Sequence, residues 1–119
     1  MPTPQFKTEG EAFRGTISSI VKFQATLKNT KNTTESIDAF NKSWQSLGET
    51  LKKAPLGEKI AASINDGDID MAVSGADKLA TQMTDAVAQE YAARLNMDPE
   101  AVKKYAADLL EEEKRNYIR

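Results

Sequence analysis

Apolar residues recur three and four positions apart along almost the whole chain, and nowhere do four or more residues alternate cleanly as a half-buried strand requires. The pattern predicts an all-α protein. Its strongest run is Ile37, Phe40, Trp44, Leu47 and Leu51, which puts five apolar side chains on one face of a helix. Pro55 closes that element, because it lacks a backbone N–H and drives its predecessor out of helical geometry.

Four more helices are expected around it. The first starts near Thr8, where Thr8 and Glu11 have capping-box spacing, and carries Phe13, Ile17, Ile20, Gln24 and Leu27 on one side, with Val21 and Phe23 flanking the stripe. Residues 28–34 have no apolar member and read as a loop. A short third helix holds Leu56, Ile60 and Ile64 and stops at Gly67, a residue suited to the left-handed position past a helix end. The longest runs from an Asp68 cap towards Asn96, with Ile69, Val73, Ala76, Ala80, Met83, Val87 and Tyr91 on one stripe and Gly75 as its weakest point. The last opens with Asp98 as cap and Pro99 in the first turn, then carries Val102, Tyr105, Ala106, Leu109 and Leu110. Beyond Leu110 the apolar rhythm fades, so 111–119 are expected to be flexible or to dock on a partner, and 1–7 are expected to be flexible.

These elements imply a compact bundle of four to five helices forming a single helical domain over 1–119. The second and fourth helices would supply most of the core, and the first and fifth would cover them. A homodimer would form if the covering helices expose a second apolar stripe.

Composition narrows the chemistry. At 119 residues the chain has the size of one domain, and 39% hydrophobic residues are too many for a disordered segment. With no cysteine and no histidine, thiolate metal sites, disulfides and every Ser-His or Cys-His mechanism are excluded. No cofactor or metal is expected. The N-terminal residues show no basic region followed by an apolar run, and no apolar stretch is long enough to span a bilayer, so a cytoplasmic protein is expected.

Residue spacing decides between the candidate motifs. Asn65-Asp66-Gly67-Asp68-Ile69-Asp70 suggests a calcium loop, but placing Gly67 at the sixth position puts Ala62, Ile64 and Val73 where acidic ligands are needed. A helix-turn-helix through Gly67 would present Asp68 and Asp70 to phosphates. Trp44-Gln45-Ser46-Leu47-Gly48 lacks the spacing of the Trp-x-Gly turn in small secreted helical hairpins, so no family resemblance follows. Glu90 and Glu113 lie near apolar stripes, where a buried carboxylate could act in acid–base chemistry, but they read more simply as stripe-boundary residues, with Arg94 spaced to pair with Glu90.

Charge adds one asymmetry to the net −2. Residues before Pro55 hold eight bases and five acids, net +3, and those after it eight and thirteen, net −5. Val21, Phe23, Tyr105, Tyr117 and Ile118 are the apolar residues hardest to place inside a five-helix core. The expected function is a non-enzymatic protein-binding module, an adaptor, inhibitor or assembly factor, that presents a helix face or groove to another protein, with Phe23, Tyr105, Tyr117 and Ile118 as candidate partner-binding residues. The alternative is nucleic-acid binding by the basic N-terminal half.

Overall fold

The computed structural model describes the backbone of residues 4–118 and the side chains of residues 10–117; among them are seven helices and no strand. They are α1 (Pro4–Lys28), α2 (Thr34–Ser46), α3 (Glu49–Lys52), α4 (Pro55–Asn65), α5 (Ile69–Ser74), α6 (Ala76–Leu95) and α7 (Pro99–Ile118). Five expected helices become seven because two of them break at a glycine. At Leu47 and Gly48 the backbone turns extended, with ψ of 148° and 159°, and α3 leaves in a new direction. Leu47 and Leu51 are nonetheless both buried, so the break changes the path of the chain and not which residues go inside. The second break is at Gly75, where a Cβ would stand 3.1 Å from Ile60 Cδ1, so the missing side chain lets α4 approach the α5–α6 joint.

The ends also differ from expectation. Helix α1 begins at Pro4 and not at Thr8; proline suits a first turn, where its missing N–H has no intrahelical partner. Helix α7 continues through the charged stretch to Ile118, and Arg14 of α1 reaches Glu112 and Glu113 at 3.5 Å and 3.1 Å.

Caps and turns follow local chemistry. Thr33 Oγ1 accepts the Ser36 N–H at 3.2 Å and starts α2. Gly67 takes φ of +88°, a conformation that favours glycine, and turns α4 into α5. Asp68 occupies the cap position of α5 but makes no side-chain capping bond. Asp98 does cap, accepting the Glu100 N–H at 3.3 Å ahead of Pro99.

The core is centred on α1, which packs on α6 and α7, while those two pack on each other. Phe13, Ile17, Ile20, Val21, Phe23 and Leu27 of α1 are all buried, against only Phe40 of α2. The first helix is therefore the centre of the molecule and not its cover. Burying Val21 and Phe23 beside the main stripe requires neighbours on two sides, and α2 supplies the second: Phe23 lies 5.5 Å from Phe40 and 6.0 Å from Trp44, ring centre to ring centre. Along α5 and α6, Ala72, Ala76, Ala80, Ala88 and Ala92 are buried and permit close helix approach. One continuous cluster of buried apolar residues extends from Phe13 to Leu110.

Candidate functional site: an apolar cleft at one end of the bundle

Helix α6 is capped after Leu95 by Asn96, a left-handed residue with φ of 54°, whose geometry allows the Met97 N–H to bond Ala92 O at 2.9 Å. Asp98 and Pro99 then start α7, so the corner is short and fixed at both ends, and Met97 projects from it with 44% of its surface exposed. Beside this corner lies a cleft of about 380 Å³ between the N-terminal part of α1, the end of α6 and the start of α7. Phe13 and Tyr91 form its floor, both buried, with ring centres 4.9 Å apart. Tyr105 and Met97 form its walls; the Tyr105 ring is 5.9 Å from Phe13 and the residue is 54% exposed. The Arg94 guanidinium lies 4.9 Å from the Tyr91 ring centre and donates from Nη2 to Glu90 Oε1 at 2.8 Å, which braces the floor from outside.

Gly10 also lines the cleft, and a Cβ there would meet nothing within 4 Å. At this position α1 presents a hydrogen where any other residue would place a side chain. Among the described residues the lining is mostly apolar, its only side-chain polar groups being the Tyr91 and Tyr105 hydroxyls, so it suits the burial of apolar groups.

The described residues among the four partner-binding candidates occupy separate places. Phe23 is only 3% exposed and belongs to the aromatic cluster with Phe40 and Trp44, which corrects its reading as a surface residue. Tyr105 stands on the cleft. Tyr117 is exposed but lies twelve residues further along α7, about 18 Å at the helical rise, beside Gln24, Lys28 and Asp77. The Ile118 side chain lies outside the described residues. Sequence reasoning missed Met97 and Gly10. The signal for Met97 was present as a large apolar residue in a capped corner, whereas a helical glycine leaves no trace of the space beside it.

The acid–base candidates are structural ties. Glu90 accepts the Thr50 hydroxyl on Oε2 and Arg94 on Oε1, joining α3 to α6 with both carboxylate oxygens engaged. Glu113 takes Arg14. Among the described residues no group of three or more acidic side chains is arranged to hold a metal ion, and no helix is long and apolar enough to cross a membrane. No protein-family model, curated protein or solved structure matches this chain.

Proposed function

We propose that the protein is a non-enzymatic protein-binding module that receives the apolar face of an amphipathic helix of another protein in the cleft between α1, α6 and α7. The observation that carries this reading is the cleft itself: a buried aromatic floor and two large exposed walls at Met97 and Tyr105, with a described lining that is mostly apolar. Helix-in-groove recognition buries side chains spaced three and four apart, and a cleft of about 380 Å³ lies in the size range that accepts such anchors.

Gly10 gives a test that does not depend on damaging the fold. Gly10→Leu places a side chain into open space on a helix, where leaving glycine gains roughly 0.5–1 kcal/mol of helix propensity. Peptides selected from a helical library for binding to the wild-type protein should lose about tenfold or more in affinity for Gly10→Leu and for Met97→Glu, while the Gly10→Leu protein melts no lower than wild type. Chemical-shift changes on peptide binding should centre on Ala101, Met97 and Tyr105. Selected peptides that bind both variants as tightly as wild type would remove the cleft from the proposal. A second copy of the chain is the competing occupant; it would show as a doubled light-scattering mass that Met97→Glu returns to one chain.

A further inference from the structure

We propose that the groove between α1 and α2 is a separate binding site, for a glutamate- or aspartate-rich segment of a partner protein. The inference does not rest on the apolar cleft, which lies at the α6–α7 corner and shares no lining residue with this groove.

The groove has a volume of about 300 Å³ and is flanked by Lys22 of α1 and Lys42 of α2. Its other polar lining residues are Ser19, Thr26, Ser43 and Ser46, and it contains no carboxylate. Arg14, Lys28, Lys52, Arg94, Lys103 and Lys114 are ion-paired; Lys22 and Lys42 belong to the described basic residues that are not, and what sets them apart from the others is that the two line one groove. The hydroxyls sharpen the contrast. Ser19, Thr26 and Ser46 donate to carbonyls four residues back on their own helices, at 3.1, 3.1 and 2.8 Å, while Ser43 makes no such bond. Two ammonium groups and one hydroxyl are therefore left as donors on a groove with no anion of its own. The helices that hold them are locked together underneath by the contacts of Phe23 with Phe40 and Trp44, so the lysine stems start from fixed positions.

Charge selects the occupant. A nucleic-acid strand long enough to bind through its phosphates would extend over a chain of net charge −2 whose C-terminal half carries −5. A short acidic peptide need engage only the groove. A second copy fits less well, because the longest acidic run of this chain, Glu111 to Glu113, is already committed to Lys114 and Arg14.

The test is a titration of fluorescently labelled peptide of alternating glutamate and alanine at low ionic strength, read by anisotropy, with a glutamine-for-glutamate peptide and a single-stranded oligonucleotide of equal charge as parallel probes. The acidic peptide should bind and weaken as salt rises. The double variant Lys22→Ala/Lys42→Ala should reduce its affinity about tenfold or more, whereas Lys59→Ala/Lys78→Ala, which removes two lysines outside the groove, leaves it within about twofold. Both double variants alter exposed side chains, and circular dichroism should show both folded with unchanged melting. Four results would overturn the proposal: no binding of the acidic peptide, equal binding of the glutamine peptide, tighter binding of the oligonucleotide, or equal losses in the two double variants.

Discussion

At the scale of single residues, the position least tolerant of change that carries no side chain is Gly57. It lies buried on α4 under the Trp44 indole, and a Cβ there would stand 2.6 Å from Cη2 and 2.9 Å from Cζ3 of that ring. Helix propensity alone would make Gly57→Ala stabilising by up to about 1 kcal/mol. The clash opposes this, since contacts under 3 Å force the indole off its seat, and overpacking of this kind costs about 1–3 kcal/mol. Gly57→Ala should therefore lower stability in urea denaturation, with a shifted Trp44 emission; a gain would mean that Trp44 yields freely. The sequence made Trp44 legible as a packed residue and left Gly57 invisible, because a glycine needed for close approach looks like any other. Phe23 fails for a related reason. Periodicity puts it beside the stripe of α1, and only the presence of α2 on that flank determines that it is buried.

Among the elements, α1 and α6 are joined by one polar contact that makes a pH prediction. Asp77, in the first turn of α6, accepts from Lys28 Nζ at 2.7 Å and from Gln24 Nε2 at 2.6 Å, and Gln24 is buried while Asp77 is exposed. The Lys28 bond, helped by Gln24 and by the charge of Lys114, holds the Asp77 carboxyl below its ordinary pKa. A carboxylate lowered on folding contributes stability that is present above its unfolded pKa and is lost as pH falls through the folded value. Solvent screening keeps the contribution under about 1 kcal/mol. Asp77→Asn should thus be slightly less stable than wild type at neutral pH, with the difference shrinking as pH falls below the ordinary carboxylate range and through the lowered folded value; a difference constant with pH would mean the carboxylate charge is irrelevant. Gln24 on the apolar stripe of α1 was readable in advance, but its partner was not, since nothing local links residues 24 and 77. Element continuity was the other hidden quantity. The rhythm from Ile37 to Leu51 names the inward residues correctly and is blind to a two-residue extended link at Leu47 and Gly48 that preserves their burial.

For the whole molecule, the opposite charges of the two halves are partly used inside the fold. Lys28 with Asp77, and Arg14 with Glu112 and Glu113, each join the basic half to the acidic half. Exposed pairs of this kind are worth little singly, so what unites the halves is the apolar cluster shared by α1, α6 and α7. That cluster predicts cooperative unfolding, and two probes can check it independently. Far-UV circular dichroism is dominated by the long helices α1, α6 and α7, whereas fluorescence reports Trp44 on α2, the only tryptophan in the chain. Trp44 packs on Phe23 of α1 at 6.0 Å and over Gly57 of α4, so it cannot keep its environment once α1 leaves the core. The two melting curves should coincide, as they do when no intermediate is populated. Loss of the Trp44 signal ahead of the helical signal would instead mean that α2 and α4 detach as a unit, and that the long three-helix core stands without them.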